Sequence, residues 1–289
     1  TIGTIGGGTL EWRAIAQAQV ALVSPSAPKA EVRRYALGPE LGQCCGGSVD
    51  LIIERFDAAE ARGAIAAWAE AEMAGGLVTR GKVTAEGVMR RPMDGETMLP
   101  GSAVLEGNEL TESFGDDRRA LALFGAGHVG RALALALAPL PFAVTWVDPR
   151  PDAFPSHVPA NVTLRRTEDP MATLAAMPAG SFVLVMTHSH PFDLAIVQAA
   201  LSDNRFPYVG LIGSATKRAR FEKRLAEGGV SPARIAELVC PIGVGGIRSK
   251  EPAVIAAATV AELLVRDAAV REQAYGGDTA ARPERRRSA

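Results

Sequence analysis

Four stretches of this 289-residue chain carry residue types at spacings that could do chemistry. The first is Gly125-Ala126-Gly127-His128-Val129-Gly130, a G-x-G-x-x-G that follows the apolar run Leu121–Phe124. Asp148 comes 18 residues after Gly130 and closes a second apolar run. That spacing predicts a strand, a glycine turn, a helix, a second strand and an acid at its end, the layout of a dinucleotide-binding βαβ unit. Gly125 is expected to allow the tight turn, Gly127 to let backbone approach a phosphate, and Gly130 to let helix pack on strand. His128 opens the helix, whose unpaired N–H groups and positive dipole end favour an anion. Asp148 stands where an acid takes a ribose 2′-hydroxyl, which would favour NAD over NADP.

The second stretch is Leu41-Gly-Gln-Cys44-Cys45-Gly46-Gly47, a vicinal cysteine pair between glycines. The glycines leave the thiols accessible and permit backbone angles that bulkier residues resist. Adjacent cysteines are a poor zinc chelate, and Cys240 is the only further thiol. Two readings stay open: a reactive or ligating pair, or small hydrophobic residues ahead of a strand. The third stretch, Thr187-His188-Ser189-His190-Pro191-Phe192-Asp193, contains an H-x-H-x2-D that could ligate a metal or simply bond loop backbone. The fourth is Ser214-Ala-Thr216-Lys217-Arg218. Cations in the first turn of a helix oppose its dipole by ~0.3–1 kcal/mol each. Lys217 and Arg218 are therefore expected to face an anion beside the Ser214 and Thr216 hydroxyls, the alternative being solvated charges offset by Glu222. A glycine-rich run at 3, 6, 7 and 8 reads either as a flexible leader or as a loop presenting N–H groups to an anion.

These residues need elements to hold them, and the second half of the chain supplies an alternating pattern. Strands are expected at Arg119–Phe124, Ala143–Val147, Val162–Arg165, Ser181–Thr187 and Tyr208–Gly213. Between and after them come helices at His128–Ala138, Thr167–Met177, Pro191–Leu201 and Ser214–Gly228, with a last one from Ser249 to Asp267. Such alternation means a doubly wound parallel sheet with ligands outside the carboxyl ends of its strands. The first half reads as α+β. It has a helix from about Glu11, strands at Glu31–Leu37 and Val49–Phe56, and an amphipathic helix over 58–75 with Ile65, Trp68, Ala69 and Met73 on one face. Short strands follow at Gly76–Arg80 and Val83–Val88, with a turn at Asp94-Gly95. The fold class is therefore α/β, an N-terminal α+β domain (1–110) followed by a Rossmann-like domain (118–270). The polar segment 106–118 forms the boundary, and 271–289 a disordered basic tail.

Composition narrows the class. Apolar residues make up 47% and charged residues 22%, with a formal charge of −1, so no nucleic-acid surface is expected. No run reaches the ~20 apolar residues of a membrane span, and no secretory signal opens the chain. Three cysteines cannot form a disulfide framework, which points to a reducing cytoplasm. Thr1 lies inside the glycine-rich run, and the natural N-terminus is expected to be missing. Face-value function from the first stretch would be an NAD(P)-dependent oxidoreductase using Gly125, Gly127, Gly130 and Asp148. Against it, the chain has no Tyr-x3-Lys pair and only Tyr35, Tyr208 and Tyr275. A small-molecule-sensing domain is a third option.

Read together, five segments resemble the XdhC/CoxI family of accessory proteins of molybdenum hydroxylases such as xanthine dehydrogenase. They are Thr4–Glu11, Leu41–Gly47, Leu123–Gly130, Tyr208–Ser214 and Pro241–Ala256, of which Gln43-Cys-Cys-Gly-Gly47 and Ser249-Lys-Glu-Pro-Ala253 are the most specific. The resemblance implies a chaperone rather than an enzyme. Such a protein would bind the molybdenum cofactor (molybdopterin), protect it while a cysteine desulfurase supplies the sulfido ligand, and deliver it to the apo-hydroxylase. A homodimer would suit that role. The residues expected to bind the cofactor are Cys44, Cys45, Gly46, Gly47, Gly125, Gly127, His128, Gly130, Asp148, His188, Ser214, Lys217 and Arg218. Cys44 and Cys45 would lie near the molybdenum, and the cofactor in a cleft between the two domains.

Overall fold

The computed structural model describes residues 4–38, 47–96, 98–247 and 249–275. The chain divides into two compact units, Thr1–Asp117 and Arg118–Ala289.

The first unit opens with α1 (Gly8–Val23), followed by β1 (Ala30–Ala36) and β2 (Ser48–Glu54), an antiparallel pair in the register Ala36↔Ser48 to Ala30↔Glu54. The Arg55 guanidinium donates to the carbonyls of Ala21, Ser24 and Ala27, satisfying acceptors that the end of α1 leaves open. Asp57 then starts α2 (Ala58–Glu60) with a reciprocal capping box to Glu60. A π-helical turn over Ala61–Ile65 leads into α3 (Ala66–Met73). Met73, expected on the buried face, is 80% exposed. Trp68 does pack, edge-on against Phe56 and beneath Arg90.

Four antiparallel strands complete the unit: β3 (Leu77–Thr84), β4 (Gly87–Pro92), β5 (Ala103–Glu106) and β6 (Glu109–Phe114), in the order β4-β3-β6-β5. One expectation is corrected here. The run Val83–Val88 is broken by a turn, and Val83 pairs with Val88 across it. The division between the units, at Asp117/Arg118, falls inside the polar segment 106–118, which also contains Glu109–Phe114 as an inner strand with Leu110 buried. Glu112 interrupts the apolar alternation on the Leu110 face because it turns inward to Arg90. The two sheets are joined by Arg90 on β4, which bonds Glu54 on β2 and Glu112 on β6, each at 2.7 Å, with its side chain only 6% exposed.

The second unit is a parallel sheet in the order β11-β10-β7-β8-β9. Its strands are β7 (Arg119–Phe124), β8 (Phe142–Val147), β9 (Val162–Arg165), β10 (Phe182–Val185) and β11 (Tyr208–Leu211). A single parallel bridge, Gly210↔Val239, extends it past β11. The helices are α4 (His128–Ala136), α5 (Pro170–Ala176), α6 (His190–Ser202), α7 (Ala215–Glu227), α8 (Pro232–Ala236) and α9 (Pro252–Tyr275). Every residue of β10 and β11 is buried, as parallel strands covered on both faces require, and the bridge to Val239 shields the outer side of β11. One core cluster takes in Ile196, Val197, Phe221 and Leu225 from α6 and α7. The other takes in Leu133 and Ala134 of α4 with Ala256 and Leu263 of α9, so helices cover both faces. Helix α4 is buried along one stripe only; Leu135 is 67% exposed. Helix α8, capped by Ser231, was not expected. Helix α9 runs past Asp267 into residues assigned to the tail, because Asp267 is fixed by Arg119 of β7 at 2.7 Å and Arg271 at 2.6 Å. Among the described residues no helix is long and apolar enough to cross a membrane.

The Arg90 triad yields a stability prediction. Arg90→Met leaves two carboxylates facing each other in a desolvated site, which is expected to cost roughly 3–5 kcal/mol. Urea unfolding followed by circular dichroism reads this directly. A loss under about 1 kcal/mol would mean that the two sheets do not depend on the triad.

Candidate functional site

The chain enters the parallel sheet at β7, runs outward through β8 and β9, then returns to β10 on the other side of β7. Ligands of such sheets bind at that reversal, beyond the carboxyl ends of the strands. A shallow crevice lies there, with an enclosed volume of only about 20 Å³. Val147, Pro149, Pro170, Phe192 and Ile196 give it apolar walls, and Gly125, Asp148, Thr167, Glu168, Thr187 and His188 contribute polar groups.

The glycine turn divides into structural and open positions. Gly125 has φ +111°, and a Cβ there would stand 2.3 Å from the Met186 carbonyl oxygen. A Cβ on Gly130 would stand 2.3 Å from the Gly125 carbonyl oxygen. Both glycines are fixed by backbone packing. Gly127 has φ −76°, and no atom of the chain lies within 4 Å of where its Cβ would be. Its smallness therefore serves no contact within the described residues. Gly127 is also the N-cap of α4 and offers no side-chain acceptor, so the first N–H groups of the helix have no internal side-chain cap. His128 opens the helix and is exposed.

Two residues of β8 and its end hold the turn. Trp146 Nε1 donates to the Gly125 carbonyl at 3.0 Å, giving its buried indole N–H a partner. Asp148, 2% exposed, accepts from the Ala126 N–H at 2.7 Å through Oδ2. The same oxygen accepts from Arg150 Nη2 at 2.8 Å, while Oδ1 accepts from the Arg150 backbone N–H at 3.0 Å and Nε at 2.9 Å. Burial pushes the Asp148 carboxyl up, but the Arg150 guanidinium and the two backbone N–H groups outweigh it and hold the group below the usual carboxylate range. A carboxylate offers about four acceptor positions, and four donors occupy them. Asp148 is thus the brace of the turn, not the open ribose acceptor expected of it.

The other expected residues fall out as follows. His188 is exposed and lines the crevice. The metal reading of His188, His190 and Asp193 is not supported, because Asp193 is fully buried and its carboxylate has other partners. Oδ1 accepts from the Thr187 N–H at 3.1 Å and its hydroxyl at 2.7 Å, and Oδ2 from Lys217 Nζ at 2.7 Å. No group of three or more histidines, cysteines or acids suited to a metal occurs among the described residues. Lys217 also donates to the Ile212 carbonyl at 2.9 Å. Arg218 pairs with Glu222 at 2.7 Å and reaches the Cys240 carbonyl at 3.3 Å. Ser214 Oγ caps its own helix by accepting from the Lys217 N–H at 3.2 Å. The start of α7 thus satisfies its own donors, and its cations answer internal acceptors in place of the expected anion. Cys240 is buried, and burial pushes its thiol up, away from nucleophilic use.

In the first unit, Cys44, Cys45 and Gly46 lie outside the described residues. Gly47 has φ +106°, and its carbonyl accepts from the Leu37 N–H at 2.9 Å. The glycine run before α1 does gather around an anion, and that anion is internal. Glu11 Oε2 accepts from the Thr4 hydroxyl, the Ile5 N–H at 2.9 Å and the Gly7 N–H at 3.2 Å. Gly6, Gly7 and Gly8 all take positive φ to fold this loop.

Sequence comparison bears on the second unit. Residues 121–263 match the model of the XdhC Rossmann domain. The second unit therefore carries an XdhC Rossmann domain. The chain as a whole is similar in fold to a solved xanthine dehydrogenase of Bacillus halodurans. The two are 22% identical with a TM-score of 0.72, over 94% of this chain and 84% of that one. A phenylacrylic acid decarboxylase of Aquifex aeolicus matches 52% of this chain and 96% of its own at 18% identity, with a TM-score of only 0.36. None of the curated proteins matches.

The contrast among the glycines is testable. Gly125→Ala is expected to lower the melting temperature by several degrees, because backbone must move to admit the methyl. Gly127→Ala should leave it within about a degree while weakening any ligand whose phosphate sits at the turn. Equal melting temperatures for the two variants would contradict the division. A second expectation concerns pH. The folded pKa of Asp148 is depressed, so its contribution is fully present above the ordinary value of about 3.9 and lost as pH falls through the lower folded value. Asp148→Asn should therefore destabilise at pH 7 and show a shallower loss of stability between about pH 4 and pH 2 than the parent, in parallel thermal melts.

Proposed function

We propose that this chain, with its XdhC Rossmann domain, belongs to the XdhC family and is an accessory protein in the maturation of a molybdenum hydroxylase. In this reading its second unit holds the phosphate end of the molybdenum cofactor at the α4 turn. One observation carries it: in a domain matching the XdhC Rossmann family, the turn that lines the crevice through Gly125 leads into α4, whose start has no side-chain cap and an open Gly127. Such helix starts suit a phosphate. The cofactor here is cargo, and the chain's residues bind and shield it.

The rest of the reading rests on the family and on the cysteines. The recipient would be an apo-hydroxylase of the xanthine dehydrogenase type, with a cysteine desulfurase supplying sulfur during residence. Cys44 and Cys45 would lie beside the metal, where soft thiolates are suitable neighbours for molybdenum. Proton-transfer chemistry finds little support in the second unit. Tyr208 is buried, bonds Glu262 at 3.2 Å, and has its hydroxyl pushed above its ordinary range by burial and that carboxylate.

Purification from a molybdate-replete host, followed by oxidative release and identification of any pterin, tests the reading. A pterin bound near one per chain, lost in Gly127→Ala, is the expected result. Absence of pterin together with turnover of NADH would replace the accessory role by an enzymatic one. For the cysteines, the Cys44→Ala, Cys45→Ala double variant is expected to lose activation of an apo-hydroxylase; unchanged retention and activation would remove them from the site.

A further inference from the structure

The end of β8 carries a second specificity element, and the argument for it rests on the reading of the crevice as a phosphate-ligand site. Sheets of this kind recognise a nucleoside through an acid at this point, which accepts the ribose hydroxyls. Here that acid is filled. All four acceptor positions of Asp148 are taken by Ala126 and Arg150, and the residue is 2% exposed. The group presented outward is instead the Arg150 guanidinium, whose side chain is 44% exposed. It uses Nε and one Nη2 hydrogen on Asp148, which leaves three of the five donors of a guanidinium free. Its plane is held in place, so little side-chain entropy is lost when an anion docks.

The neighbouring strand adds charge of the same sign. Arg165 ends β9 in register with Val147, and Arg166 follows it; both are exposed. Among the described residues neither has an ion-pair partner. The carboxylates nearby in sequence are Asp152, Glu168 and Asp169. Asp169 caps α5 by accepting from Met171 and Ala172. Glu168 lines the crevice and is the remaining group able to accept a diol.

We propose that the β8 edge of the crevice selects a phosphomonoester over a ribose diol, with Arg150 as the selecting residue and Asp148 as its positioning partner. Two sources supply such a phosphomonoester, a nucleotide carrying a 2′-phosphate and a phosphorylated pterin. Both present the same dianion to the guanidinium.

Calorimetric titration of the purified full chain with two probe pairs decides the matter: 5′-AMP against 2′,5′-ADP, and neopterin against neopterin monophosphate. The expected result is that in at least one pair the member with the additional phosphate binds at least roughly tenfold tighter, as charge-assisted bonds to a phosphate imply. Which pair shows the preference identifies the source. Arg150→Gln should abolish the preference and, by releasing Asp148, strengthen 5′-AMP. Thermal melts of Arg150→Gln, and of a separate Arg165→Gln, Arg166→Gln variant that leaves the brace intact, exclude loss of fold as the cause. Tighter binding of 5′-AMP to the parent, removed by Glu168→Gln, would overturn the proposal and make Glu168 the diol acceptor. Binding without dependence on Arg150 would overturn it while leaving the crevice as a ligand site. No binding of any probe would overturn the crevice reading as well.

Discussion

The second unit depends on one buried carboxylate. Asp148 receives four N–H donors in a site almost without solvent, from Ala126 of the glycine turn and from Arg150, two residues further along the chain. A buried charge is tolerated only when its acceptor positions are filled, and here filling them ties three segments together. The turn is drawn toward the end of β8, and there Gly125 passes so close to β10 that no side chain fits. The helix in turn starts near enough to the Gly125 carbonyl that Gly130 must also be bare. The parallel sheet, the turn and the position of α4 are therefore one interlocked arrangement, with charge at its centre and backbone contacts around it.

That arrangement leaves one helix start open and closes another. Helices α4 and α7 both begin at carboxyl ends of the sheet, and both follow small, glycine-containing turns. At α7 the Ser214 hydroxyl caps the helix, and Lys217 turns inward to Asp193, which also fastens Thr187. This clamp fixes the loop after β10, and with it the wall of the crevice that carries Thr187 and His188. At α4 no side chain takes the cap position. Two helix starts that look alike in sequence thus differ in whether a side chain of the protein caps them, and only the turn before the first lines the crevice, through Gly125.

Much of the architecture was legible because its determinants are local. The strand starting at Arg119, the strand Val162–Arg165 and the helix that begins at His128 follow from apolar runs and a glycine turn, whose physics acts within a few residues. The unread parts depend on partners distant in sequence. Glu109–Phe114 reads as a linker because Glu112 takes an inward position on the Leu110 face, and only its distant partner Arg90 explains a carboxylate there. Helix α9 outran its expected end because Asp267 answers Arg119, a residue 148 positions away. At the site, the role of Gly125 and Gly130 was readable from spacing. Lys217 was misread as an anion ligand because its partner, Asp193, lies on a different helix. Arg150 could have been noticed: an arginine two residues beyond the acid is the sequence signal that the acid is already engaged. Glu11 gave a comparable signal, since an acid in the first turn after a glycine run can itself be the anion that the run encloses.

The glycine fingerprint therefore carries two messages that the structure separates. Gly125, Gly130, Trp146 and Asp148 are explained by the chain's own packing and hydrogen bonds, and would be required whether or not anything binds. Gly127 and the uncapped start of α4 are left without an internal reason. The acid, usually taken as the sign of a nucleoside ligand, belongs to the first group here, so the motif is no evidence for nicotinamide chemistry in this chain. What remains as evidence for a ligand is a place for phosphate, flanked by an apolar crevice and a guanidinium whose free donors point to more negative charge. A phosphate-bearing cargo, as proposed for this chain, meets that description without any redox partner, so the fold of a dinucleotide-binding domain is compatible with the proposed accessory role.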